Sequence, residues 1–510
     1  MTLRMLAIGL TLTLSASAWP AQTPPATTGR SGQRGESTPA PRVELTPETR
    51  KVVDDLIRTL NSHNTVSVRE ESKSHPILFT AYLDLTEPPM RIGDSFNQNT
   101  IHAKMPQWSA VSGWAESNGH MAKAILDSRD KIAVGLPYGR DNVPPTYVSK
   151  GLFVDLIPDG RLGHIDFQYL RAVRTISAYA TAEVYRLMEA NRVDDALKLA
   201  LAHIFVLRQF SDRDFLAEKL QGIRMLSEAL ANFRDVFYVY LDRITLDQFR
   251  GIAFREIPFL RPDRNRLLMP EADRHVSEAR LRFVFDQRSA QADPTSFSET
   301  FARIQSAEKP LTLFGASRRW KMIATIHGSL DATLERLQLI YDDWWRRWRV
   351  EAYDPILDIQ TEFERCNPVR YAAVLYSLAD IEQLFGIRNQ LIAEVNGTAM
   401  AAGLCGYHKS FGGYPRGTEM IYAFAVRRRS DSDPHDRELA PFRYRQASAR
   451  EPVDTAPGRI WIEPGMGVLY SVGQDNTDDR AATHTDSGAT GDVVIWPPVK
   501  ALQREAGLID

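Results

Sequence analysis

From about residue 165 to 285 the apolar residues recur with a helical period, and no other stretch limits the fold as much. Ala178 to Ala190, Asp194 to Gln209, Asp212 to Ala231 and Arg234 to Asp242 each place apolar side chains three, four and seven positions apart. Consecutive amphipathic helices must bury their stripes, and their nearest partners are one another. The chain is therefore expected to be mainly α, with helices packed on helices.

The helix around Ala182 to Met188, the turn at Asn191-Arg192 and the helix from Val193 resemble one tetratricopeptide unit. No second copy follows at a fixed period, and a solenoid needs several, so one irregular helical domain over 47–380 is expected. Its first helix opens at Thr46-Pro47-Glu48: an N-cap, a proline suited to the first helical position, and an acid at the positive helix end. Val52, Val53, Leu56, Ile57 and Leu60 then form one face. Residues 75–168, broken by Gly135-Leu136-Pro137-Tyr138-Gly139 and Asn142-Val143-Pro144-Pro145, read as long loops with a few helical turns. Residues 287–300 read as an exposed loop; Glu299 to Ser306 and Leu330 to Val350 read as helices. In the last of these Tyr341, Trp344, Trp345 and Trp348 share a face beside Arg346, Arg347 and Arg349. Such a stripe is either core with arginines extended outward, which is the commoner case, or a surface for glycan or anionic polymer.

The N-terminus reads as a signal peptide over 1–18: Arg4, the short apolar run Met5 to Leu14, and Ala16-Ser17-Ala18 as a small-x-small cleavage site. The run is short of the roughly 20 residues a membrane span needs, although an uncleaved anchor is the other reading. A linker rich in Pro, Thr, Gly and Ser occupies 19–46. The expectation is an exported protein, periplasmic or extracellular, with no integral membrane segment after cleavage. Sixty-two basic residues against 64 acidic give a formal charge of −2, which supplies no global pull toward nucleic acid or an anionic membrane. The two cysteines, Cys366 and Cys405, either pair across the chain or stay buried as free thiols.

The region 381–498 changes character. A helical run from Ile387 to Lys409 carries Gly397 and Gly403, residues whose presence in a helix marks close packing against a neighbour, here a small sheet. Gly412-Gly413 ends the run. Ile421 to Val426, Gly458 to Ile462, Gly467 to Val472 and Val493 to Trp496 read as short strands, and 499–510 as a C-terminal tail. The order of Tyr407, Gly413-Tyr414-Pro415, Asp433-Pro434, Phe442-Arg443-Tyr444 and Leu469-Tyr470-Ser471-Val472-Gly473 resembles the C-terminal domain of type II secretion major pseudopilins. The resemblance covers about a quarter of the chain, enough to suggest a fold and not an activity. The whole architecture, a helical region before such a tail, also resembles a group of exported bacterial proteins of uncharacterised activity. The resemblance implies a small α+β domain and a calcium site in the loop after the strand, with Ser471, Asp475, Asp486 and Asp492 as ligands. A solvated acidic turn is the alternative. The chain lacks the pseudopilin leader and long N-terminal assembly helix, so assembly into a pseudopilus is not expected.

No zinc-protease, Cys-x-x-Cys, nucleophile-elbow or phosphate-loop pattern occurs, and His203, His275, His327 and His408 stand alone in sequence. Glu256, Glu271, Asp342 and Asp343 are the acids a glycosidase reading would use, given a suitable separation in space. The run Arg427-Arg428-Arg429 suits a phosphate or a solvated loop. Two functional expectations stand: a non-catalytic envelope or extracellular protein that binds an envelope protein or glycan, and an exported hydrolase of glycan or peptide with carboxylates in the helical domain.

Overall fold

The computed structural model describes residues 44–509, apart from 64, 161, 257–266, 287, 307–312, 351–353, 380, 422–431, 437, 439, 456 and 484–490. The signal peptide, the linker up to residue 43, the strand expected beyond Ile421, the three arginines and Asp486 lie outside the described residues, as does the side chain of Glu256.

The chain is mainly α, with a small α+β region near its C-terminus. Helix α1 (Pro47–Asn61) is capped by Thr46, whose hydroxyl accepts from the Thr49 amide. Four short helices punctuate the next stretch: α2 (His75–Leu83), α3 (Trp108–Ser117), α4 (Gly119–Ser128) and α5 (Pro145–Ser149). The central bundle is α6 (Leu170–Glu189), α7 (Val193–Phe210) and α8 (Leu216–Val239). Asn191, with φ of 59°, makes the tight turn between the first two. Then come α9 (Leu246–Gly251), α10 (Ala272–Val284), α11 (Pro294–Gln305), α12 (Leu313–Ala324), α13 (Leu330–Arg349), α14 (Ala372–Ser377) and α15 (Gln383–Phe411). Two expectations need correction. The helices expected over 212–231 and 234–242 are one helix, α8, and half of the loop expected over 287–300 is the start of α11, capped by Asp293 with Pro294 next.

Helix α15 joins the helical bundle to the sheet. It packs on α8 along one side and on the strands along another. A Cβ on Gly397 would come within 2.6 Å of the Ile495 side chain, so the helix lies on the sheet at a distance only glycine allows. Gly412, with φ of 74°, ends the helix in the left-handed conformation. Strands β1 (Arg443–Gln446), β4 (Gly467–Ser471) and β5 (Val493–Trp496) form one antiparallel sheet in the order β1-β4-β5; β2 (Glu451–Thr455) and β3 (Gly458–Ile462) form a separate hairpin. The tail folds back as α16 (Val499–Glu505) and is pinned to α8: Arg504 Nη2 lies 2.5 Å from Asp235 Oδ2. One apolar core runs from Leu56 through the bundle and α15 to Trp496, and a smaller one lies under the hairpin, from Val453 to Leu502. Both cysteines are buried free thiols. Among the described residues no helix is long and apolar enough to cross a membrane.

Candidate functional site

The acidic loop starts where β4 ends. Ser471 points into the protein and its hydroxyl donates to Asp433 Oδ1 at 2.7 Å; the Val472 amide donates to Asp433 Oδ2 at 2.9 Å. Asp475 spans the loop, accepting from the Gly491 amide at 2.9 Å and the Thr477 amide at 3.2 Å. Asp492 is fully buried. One of its oxygens accepts from the Ala481 amide at 2.5 Å, and among the described residues Oδ1 has no hydrogen-bond partner at normal distance. Burial first, and then the nearby Asp478 and Asp479 charges, push its carboxyl up to about 7. His435 is lowered by burial against the opposing pull of Asp433 and Asp475, and its Nε2 also lacks a partner. Of the four ligands the resemblance implies, Asp475 and Asp492 flank Gly491, Ser471 meets Asp433 instead, and Asp486 is not described. In sequence Asp433 stands out only as part of the Asp433-Pro434 element; its partners 38 and 39 residues away give it no local signal. Among the described residues no three His, Cys, Asp or Glu side chains converge closely enough to hold a metal.

A second polar group is built where the loop 136–138 meets the start of α8. Glu218 is 0 % exposed and Arg213 1 %. Glu218 accepts from Arg213 Nε at 3.0 Å, from the Tyr138 hydroxyl at 2.8 Å and from the Tyr169 hydroxyl at 2.6 Å. Arg213 also donates to the Leu136 carbonyl at 2.7 Å and lies 4.2 Å from the Tyr138 ring centre. Burial alone would lower the Arg213 pKa; Glu218 outweighs it and holds the guanidinium above its ordinary value. Next to it, Asp273 accepts from the Leu216 amide at 2.7 Å and is pushed up to about 6, chiefly by burial. Glu218 is saturated by the protein's own donors, which makes it an interior tie between segments.

Among the described residues, each of the acids singled out for hydrolysis is held by partners of its own. Asp343 accepts from Arg347 and from the Glu362 amide, Asp342 accepts from Gln338, and Glu271 accepts from Trp345 and Arg274. The aromatic stripe is core: Tyr341, Trp344 and Trp348 are buried. Arg347 is buried too, donating to the Ile356 and Ile359 carbonyls. Three of the four isolated histidines are packing groups. His203 meets the Ser177 hydroxyl beside a cavity of about 20 Å³, room for one water at most. His327 bridges the Gly328 carbonyl and the Ala373 amide, and the His408 ring lies tilted against Tyr414, ring centres 4.7 Å apart. His275 differs, because its partner is another histidine, His63.

The outer face of α12 contrasts with its inner face. On α12, Ala316, Trp320 and Ala324 face inward at four-residue spacing. Phe314, Arg318 and Met322 follow the same spacing on the outer face; Phe314 is 92 % exposed and Met322 63 %. Arg319 and Lys321 flank them, and Ile326 continues just past the helix end. No family model, curated protein or solved structure matches this chain.

Proposed function

We propose that this is a non-catalytic interaction protein of the cell envelope or extracellular space, which docks a partner on the outer face of α12. The observation that carries the reading is Phe314 and Met322 standing in solvent among Arg318, Arg319 and Lys321. Large apolar side chains grouped on the surface are characteristic of contact sites, and the arginines and lysine favour an envelope protein with acidic residues around an apolar spot. The hydrolase reading has less support, since Glu271 is engaged by Trp345 and Arg274 and Asp342 by Gln338. In this reading α15 and its sheet are a pseudopilin-like module steadied by calcium at Asp475 and Asp492, which the unpartnered Asp492 oxygen supports.

The test compares the wild-type protein with a Phe314→Asp/Met322→Asp variant in sedimentation with purified envelope fractions. The reading predicts that the wild type sediments and the variant stays soluble at an unchanged melting temperature. Equal sedimentation of the two, or release of soluble glycan or peptide fragments by the wild type, would overturn it.

A further inference from the structure

We propose that His63 and His275 form a binding site for a divalent transition-metal ion of the zinc type, with Asp214 as the residue that orients His63. The two histidines come from elements 212 positions apart. His63 sits in the turn after α1, fixed by the Val66 and Ser67 amides, which donate to its carbonyl at 2.9 and 2.8 Å. His275 lies in the first turn of α10. Their Nε2 atoms are 3.2 Å apart, their ring centres 5.0 Å apart, and the ring planes are inclined at 55°.

The tautomer follows from the other ring nitrogen. His63 Nδ1 is 3.3 Å from Asp214 Oδ2, and the Thr65 hydroxyl donates to the same oxygen. With its Nδ1 against this carboxylate, His63 carries its proton there and leaves the Nε2 lone pair facing His275, whose Nε2 proton passes to its own Nδ1 or to solvent when an ion binds. A carboxylate behind a ligating imidazole is the usual support of a histidine metal site. Two zinc–nitrogen bonds of about 2.0–2.1 Å at a tetrahedral angle place the nitrogens about 3.3 Å apart, close to the spacing found here. His63 is about one-fifth exposed, so an ion has access and water fills the remaining positions. Asp214 and Glu278 supply negative charge near the site and Arg274 opposes it. Two imidazoles select zinc, nickel or copper over calcium, which requires oxygen donors. The bound ion would clip the end of α1 to α10.

The experiment uses the mature protein stripped with EDTA, titrated with zinc alone in the presence of excess calcium and followed by calorimetry. The expected result is one zinc per chain, lost in His63→Ala and in His275→Ala and weakened about 10- to 100-fold in Asp214→Asn. Because a variant in this packed region can misfold, imidazole nitrogen resonances of the wild type are recorded in the same titration. Two Nε2 signals that shift together with zinc support the site. No zinc uptake, uptake unchanged in both histidine variants, or unmoved ring resonances would show that the pair is a hydrogen bond only and overturn the proposal.

Discussion

Replacing Glu218 with Gln keeps the side-chain shape and removes one fully buried charge. Arg213, 1 % exposed, then keeps its charge with its nearest counter-ion gone. Removing one partner from a buried ion pair costs about 3–5 kcal/mol, because the remaining charge stays desolvated. A second loss follows from hydrogen-bond chemistry. The carboxylate accepts from Arg213, Tyr138, Tyr169 and the Phe215 amide, whereas an amide has one acceptor oxygen and turns an NH2 toward the other donors. Total stability of a domain is about 5–15 kcal/mol, so the variant should lose a large share of it. The assay is urea unfolding with matched slopes, run beside Glu71→Gln, an exposed acid expected to change stability by less than about 0.5 kcal/mol. The double variant Glu218→Gln/Arg213→Met should be less damaging than the sum of its parts, since it removes the stranded charge. A Glu218→Gln loss below about 1 kcal/mol, or strict additivity in the cycle, would refute the view of this network as an interior tie.

Three further outcomes are expected. Gly397→Ala gains about 1 kcal/mol of helix propensity and loses about 1–3 to the collision with Ile495, for a net loss of up to about 2 kcal/mol by urea midpoint; Ile495→Val in the same chain should recover part of it. Burial lowers His203 to about 3, below its unfolded value of about 6.5, so its contribution to stability is complete above pH 6.5 and is lost as pH falls toward 3. Between pH 6 and 4 the wild type should lose about 1.4 kcal/mol per pH unit more than His203→Gln, and parallel pH curves would remove the assignment. Calcium at 100 times its dissociation constant should add about 2.7 kcal/mol to the melt, with no gain in Asp475→Ala; an equal rise in both proteins would place calcium elsewhere.

The elements legible in the sequence are those that stand on local pattern. The periodicity at 178–190 and 194–209 gives α6 and α7, the cap at Thr46 gives the start of α1, and Gly397 gives the close approach to the sheet. Where the reading failed, the reason is mostly a distant partner. The pattern breaks at Asn232, Arg234 and Asp235 because these polar residues are buried in α8, answered by the Gln98 carbonyl, by Glu394 and Thr398, and by Arg504. Among the described residues, strand β1, Arg443 to Gln446, is polar because it is the edge of its sheet, and Pro452 in β2 is tolerated because its hairpin meets no further strand. Asp293-Pro294 is a sound helix start hidden in a run that otherwise reads as loop. Neither the Glu218 network nor the His63–His275 pair has a sequence signature, since each depends on contacts spanning 49 to 212 positions.

The most direct test of the interaction reading places a photo-crosslinking residue at Phe314 in living cells, with Asp55 on α1 as the comparison. The account predicts a discrete crosslinked product from position 314 that vanishes when Met322 is changed to Asp. The same product from both positions, or none from position 314, would contradict it.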